Sequence, residues 1–220
     1  MNVYTSDLLA FLDASPCNFL AVNNIAHKLK DAGFCELDMA DAWSIVPGGR
    51  YYVTKNSSAI FAFIAGSDAT AGFRIITAHS DSPGFRIKPN AEIVGEGGVV
   101  TLNTEVYGGP ILYTWFDRPL SISGRVILVG EDALHPRTRL VNFHRPLLTI
   151  PHLAIHYNRS VNDGNPLSKQ RDMLPVLGRV SCKEEGKGLL TRMVAAELGV
   201  QTEEILDYDL TLYDTTPACL

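Results

Sequence analysis

Apolar and polar positions change their period along this chain, and the change separates an α/β beginning from a β-rich middle. Residues 5–14 and 16–32 carry the helical pattern. In the second stretch Phe19, Val22, Ala26 and Leu29 recur three or four residues apart and share one face. Ser15 reads as its N-cap with Pro16 at the first helical position, and Gly33 closes it. Residues 50–54 and 58–65 read as strands joined by a turn at Asn56-Ser57. The second strand, Ser-Ala-Ile-Phe-Ala-Phe-Ile-Ala, is apolar almost throughout, as expected of a strand covered on both faces. Phe73 to Ala78 reads as a further strand, and a turn follows at Ser82-Pro83-Gly84. The first 85 residues therefore predict two helices and the start of a mixed α/β sheet.

After Gly84 short β-like runs follow at 86–88, 91–94, 98–106, 111–116, 121–129 and 139–142. Gly and Pro separate them at Gly95, Gly97-Gly98, Gly108-Gly109-Pro110, Gly124 and Gly130, the texture of a predominantly β module. Residues 188–198 return to helix, with Leu190, Met193, Val194 and Leu198 on one side and Gly199 as terminator. Residues 209–214, Asp-Leu-Thr-Leu-Tyr-Asp, alternate as a last strand. The composition shifts near residue 88, the best internal boundary, and no repeat or low-complexity linker interrupts the chain.

Bulk properties narrow the function classes. A hydrophobic fraction of 46% and a charged fraction of 20% over 220 residues are those of a globular protein with a sizeable core. A net charge of −5 with no basic stretch gives no support to nucleic-acid binding. The N-terminus lacks a basic region followed by an apolar core, and no apolar run approaches the ~20 residues that span a bilayer. Cys17, Cys35, Cys182 and Cys219 are scattered without Cys-x-x-Cys spacing, which reads as free thiols in a cytoplasmic protein.

The candidate chemistry centres on His79-Ser80-Asp81, at the end of the apolar run 73–78. A strand that delivers a His to its carboxyl end places an imidazole where open α/β sheets bind ligands. An Asp two residues on can accept a hydrogen bond from the ring nitrogen that does not face a metal, which fixes the tautomer and strengthens the ligand. Alone, the triplet is more often the pattern of a solvated loop histidine. Ser80 and Ser82 lack the Gly-x-Ser-x-Gly context of a serine nucleophile. His152 and His156 are four apart, but Leu153 stands where a zincin motif needs Glu. His27, His135 and His144 show no partner carboxylate at useful spacing and read as surface or core histidines, and Asp117-Arg118 reads as an ion pair at a turn.

The flanks of His79 carry more information. The stretch Thr-Ala-His-Ser-Asp-Ser-Pro-Gly-Phe-Arg-Ile-Lys-Pro at 77–89 resembles the first metal-binding segment of the aspartyl aminopeptidase family of zinc exopeptidases. Segments in the same order match the same family at 13–22 (Asp-Ala-Ser-Pro-Cys-Asn-Phe-Leu-Ala-Val), 47–56 (Pro-Gly-Gly-Arg-Tyr-Tyr-Val-Thr-Lys-Asn), 107–120 (Tyr-Gly-Gly-Pro-Ile-Leu-Tyr-Thr-Trp-Phe-Asp-Arg-Pro-Leu), 150–156 (Ile-Pro-His-Leu-Ala-Ile-His) and 214–218 (Asp-Thr-Thr-Pro-Ala).

The resemblance implies an α/β, mixed-sheet zinc-exopeptidase catalytic domain, of which residues 1–87 are the N-terminal part. It implies an inserted β-rich assembly domain over 88–208 and a return to the catalytic domain over 209–220. It further implies release of an N-terminal acidic residue, Asp or Glu, from peptides at a site holding two Zn2+ ions. His79 would bind one metal and Asp81 would orient it. His156 would reach from the assembly domain of one subunit into the active site of its neighbour in a homo-oligomer, with His152 structural. In that family the bridging Asp, the general-base Glu with its neighbouring ligand, a further Asp ligand and a final His lie downstream of the segment matching 214–218. Glu184-Glu185 and Glu203-Glu204 lie upstream and do not fit those positions. The chain accordingly reads as an N-terminal portion of a longer enzyme. Two other readings stand beside the peptidase: a non-catalytic assembly module, and a related two-zinc amidase or deacylase.

Overall fold

The computed structural model describes residues 2–68, 70 and 72–220. They form two compact units, one of Met1–Ser82 with Ala218–Leu220 and one of Pro83–Pro217.

The first unit opens with α1 (Val3–Ala14), started by Asn2, whose side chain accepts a hydrogen bond from the Tyr4 amide. The next helix, α2 (Asn18–Asp31), begins two residues later than Ser15-Pro16 predicts. Cys17 is its N-cap, and Ser15 closes α1 instead, its amide bonding to Leu12 O. The Ser15 hydroxyl accepts from Asn24 Nδ2 at 3.0 Å, so it ties the two helices together. Phe19 and Val22 are buried as their spacing requires. Gly33 follows at φ +81°, a left-handed conformation that glycine adopts without penalty.

Three strands follow in the order β1 (Cys35–Glu36), β2 (Arg50–Lys55) and β3 (Ala59–Ile64). β1 and β2 are parallel, whereas β2 and β3 form an antiparallel hairpin, so the sheet is mixed. Asn56 and Ser57 turn the hairpin, as predicted for that pair, and both sit at positive φ.

Two expectations fail in this unit. β3 is not covered on both faces: Phe61 and Ile64 are 59% and 61% exposed. Phe73 to Ala78 is not a strand but an irregular segment without a ladder, with Phe73, Ile75 and Ile76 at 86%, 73% and 99% exposure. A strand exists only with a neighbour to take its backbone groups. Among the described residues none pairs with this run.

The second unit is a six-stranded sheet in the order β7-β6-β9-β4-β5-β8. Its strands are β4 (Gly84–Val94), β5 (Val99–Tyr107), β6 (Leu120–Leu128), β7 (Arg137–Asn142), β8 (Val176–Arg179) and β9 (Ile205–Asp214). Every pairing is antiparallel. β4 joins the predicted runs 86–88 and 91–94, and the irregularity between them is a shift of register from Ile87 to Glu92. β8 has no counterpart among the predicted strands. Residues 111–116, predicted as β, instead hold a 3-10 turn at Leu112–Trp115, which seats Trp115 edge-on against Phe85 at 4.9 Å.

Alternation sorts the faces of the sheet. Phe85 and Ile87, Leu120 and Ile122, and Leu210 and Leu212 point into one core. Helix α4 (Leu189–Leu198), which follows the short α3 (Lys183–Gly186), covers that core with Leu190, Val194 and Leu198. Each such side chain contributes about 1.5–3 kcal/mol by leaving water. β4 and β9 both belong to this sheet, so the unit runs from 83 to 217, beyond the expected limits of 88 and 208.

Gly124 of β6 stands opposite Leu210 of β9. A Cβ there would stand 2.1 Å from the Asp209 carbonyl oxygen, part of a backbone that cannot yield without breaking the ladder. Gly124→Ala is therefore expected to destabilise the chain by about 1–3 kcal/mol, the usual cost of overpacking. Thermal melting checks this; an unchanged Tm would contradict the close approach.

Candidate functional site

His79 directly follows the unpaired run Phe73–Ala78 of the first unit. Its Nδ1 lies 2.8 Å from the Asp81 backbone oxygen and 3.1 Å from Asp81 Oδ1. Both partners are acceptors, so Nδ1 carries a proton, and in the neutral ring the lone pair is at Nε2. The ring is largely exposed and the carboxylate half-buried. This is the arrangement in which a carboxylate orients an imidazole for a metal. It follows from local chain geometry, because the two residues are only two apart. Ser80 points elsewhere, donating from its hydroxyl to Ser58 O at 3.0 Å, a structural contact rather than a nucleophile's.

His79 fits one position of a zinc site. Zinc takes about four ligands, and among the described residues no three His, Cys, Asp or Glu side chains gather as metal donors. The described residues thus do not complete a metal site around His79, and no step through the metal follows from these residues alone.

In the second unit, His152 is held structurally. Its amide donates to Asp117 Oδ1 at 3.0 Å, and its ring packs on Phe116 at 4.6 Å between centroids. Asp117 therefore does not pair with Arg118 as expected. Arg118 Nη1 reaches Asp214 Oδ2 at 2.6 Å instead. Burial pushes the Asp214 carboxyl up, but hydrogen bonds from Thr216 and the Arg118 guanidinium outweigh it and hold the pKa below the ordinary carboxylate value. His156 lies exposed on a turn closed by Tyr157 N to Ala154 O at 2.8 Å.

Another correction concerns His135. It does have a carboxylate partner, Asp132, whose Oδ1 lies 2.8 Å from Nδ1. The signal was the spacing of three within the loop after β6. The Glu pairs have structural work: Glu185 accepts from the Ser181 amide at 2.9 Å, and Glu204 from the Gln201 amide at 2.9 Å. Among the described residues no cysteine forms a disulfide; Cys17 is buried, and Cys35, Cys182 and Cys219 are exposed. No helix among the described residues is long and apolar enough to cross a membrane.

The profile of the Aminopeptidase I zinc metalloprotease (M18) family matches residues 11–220. The chain belongs to the M18 aminopeptidase family. A probable M18 family aminopeptidase 2 of Clostridium acetobutylicum is 48% identical over 219 residues, 99% of this chain and 51% of the relative. The corresponding protein of Clostridium novyi is 50% identical over 213 residues, 96% of this chain and 49% of the relative. This M18 chain thus spans about half the length of the curated relatives it matches. Among solved structures, the Ape4 and Nbr1 complex matches 97% of this chain and 44% of that one, with TM-score 0.90 and 35% identity. Chaetomium thermophilum mApe1 matches 98% of this chain and 51% of that one, with TM-score 0.86 and 31% identity.

Proposed function

We propose that this chain carries the first metal-binding segment of a zinc aminopeptidase that releases N-terminal acidic residues, Asp or Glu, from peptides. The observation that carries the reading is His79, held at Nδ1 by Asp81, in a chain of the M18 family. His79 binds one of two zinc ions, and Asp81 fixes its ring. Bound zinc would activate a water and polarise the scissile carbonyl. The other ligands and the general base come from the half of the fold that this chain does not cover. Residues 1–82 are then the N-terminal part of the catalytic domain. The six-stranded unit is an assembly domain inserted into it, through which copies of the enzyme associate. Membership in a peptidase family weighs against a purely non-catalytic assembly module and against a two-zinc amidase or deacylase.

The test is a chimera in which this chain is joined to the remaining half of the Clostridium acetobutylicum relative. With added zinc, it is expected to cleave Asp- and Glu-terminated aminoacyl substrates faster than Leu- or Ala-terminated ones. The 220-residue chain by itself is expected to stay at background with zinc, manganese or cobalt. Turnover by the chain alone would show that the other ligands are dispensable, and a preference for neutral residues would remove the acidic specificity.

A further inference from the structure

The triplet His79-Ser80-Asp81 carries one contact that grips the imidazole and another that grips the chain. The imidazole is held within the triplet, its Nδ1 2.8 Å from the Asp81 backbone oxygen and 3.1 Å from Asp81 Oδ1. These bonds set the rotation of the ring relative to its own backbone. They do not set where that backbone lies relative to the sheet. The run that delivers His79, Phe73 to Ala78, belongs to no ladder among the described residues. Ser80 supplies a tie of another kind. Its half-buried hydroxyl donates to Ser58 O at 3.0 Å, across 22 residues of sequence.

The acceptor is a product of the hairpin. The pairing of β2 with β3 ends at Lys55 opposite Ala59, so Asn56, Ser57 and Ser58 form the loop. Asn56 and Ser57 take positive φ, and the Ser58 amide returns to Lys55 O at 3.1 Å. Ser58 therefore stands outside the ladder, and its carbonyl takes the Ser80 hydroxyl. A tight turn between two paired strands has a fixed backbone geometry. It is a firm anchor for a segment with no ladder of its own.

We infer that Ser80 is a positioning residue for the zinc ligand: its hydrogen bond to Ser58 O fixes the place of His79 relative to the sheet β1–β3, while Asp81 fixes the rotation of the ring. The inference rests on the proposed function for the role of His79 as a zinc ligand; the anchoring itself is a property of this chain. Metal–ligand distances hold to within about 0.2 Å, and a binding constellation works only when supporting hydrogen bonds keep its members within about 0.5 Å of the productive geometry. Alanine at position 80 would remove the donor, whereas threonine would keep it.

The test compares Ser80→Ala with Ser80→Thr, first in the 220-residue chain without metal. By NMR relaxation, Ser80→Ala is expected to lower the backbone order parameters of residues 79–81 toward the flexible range, below about 0.6. The His79 ring nitrogen shifts are expected to stay those of the unsubstituted chain, because Asp81 still holds Nδ1. Ser80→Thr is expected to keep both the order and the shifts. In the chimera with the Clostridium acetobutylicum half, Ser80→Ala is expected to weaken zinc binding about tenfold, the lower end of the range for groups that support a metal ligand. Ser80→Thr is expected to restore it to within about twofold. Unchanged order in Ser80→Ala, or a folded Ser80→Thr that behaves like the alanine variant, would overturn the anchoring, and the free chain decides this even where a chimera fails to fold. Lost order with unchanged zinc affinity would overturn the positioning role. If Ser80→Ala loosens residues 79–81 but His79→Ala leaves zinc binding intact, the anchor stands and the metal role of His79 in the proposed function fails.

Discussion

In the chimera that completes the M18 fold, His79→Ala is expected to reduce turnover of acidic aminoacyl substrates by about 100-fold or more and to lower bound zinc. The loss should exceed the roughly 10–100-fold typical when only a carboxylate supporting a metal ligand is removed. Asp81→Ala supplies that comparison. It leaves the imidazole in place but removes the acceptor at 3.1 Å, while the Asp81 backbone oxygen at 2.8 Å still holds Nδ1. Its expected loss is therefore the smaller, with most zinc retained. Activity assays with metal analysis by mass spectrometry distinguish the two. A folded His79→Ala chimera with normal zinc and normal turnover would remove His79 from the site. The free chain should fold equally well with either substitution, since both groups lie at the surface.

The second large effect concerns His156. It stands on an exposed turn of the second unit, among the exposed side chains Leu153, Ile155 and Tyr157. Such an apolar loop suits contact with another subunit, and symmetric association is the usual outcome for a single chain with such a surface. In the completed enzyme, His156→Ala is expected to cut turnover while sparing zinc. Mixed oligomers of inactive His79→Ala and His156→Ala subunits are expected to regain part of the activity, because some interfaces then pair an intact His79 with an intact His156. Mixed oligomers that form but remain inactive would show that the two residues do not share a site across the interface. The separation of effects is the informative part. A metal ligand changes zinc content, whereas a histidine supplied by a neighbour changes turnover alone.

Local pattern determined much of this protein. The helical period at Phe19 and Val22, the hairpin turn at Asn56-Ser57, and the alternation of Leu210 and Leu212 each encode a structure that neighbouring residues complete. The His79–Asp81 contact was legible for the same reason: it spans two residues, and the segment at 77–89 carried the family resemblance. Tertiary structure decided what depends on distant partners. Arg118 sits next to Asp117 but pairs with Asp214, 96 residues away, while Asp117 accepts from the His152 amide. β8 is only four residues long with Gly178 inside it, too short to show a period, and it is a strand because β5 offers an edge. Residues 111–116 look β-like but curl into a 3-10 turn that delivers Trp115 to Phe85. Phe73 to Ala78 shows the converse. Its sequence is that of a buried strand, yet a strand is a property of a pair, and no described residue supplies the other member.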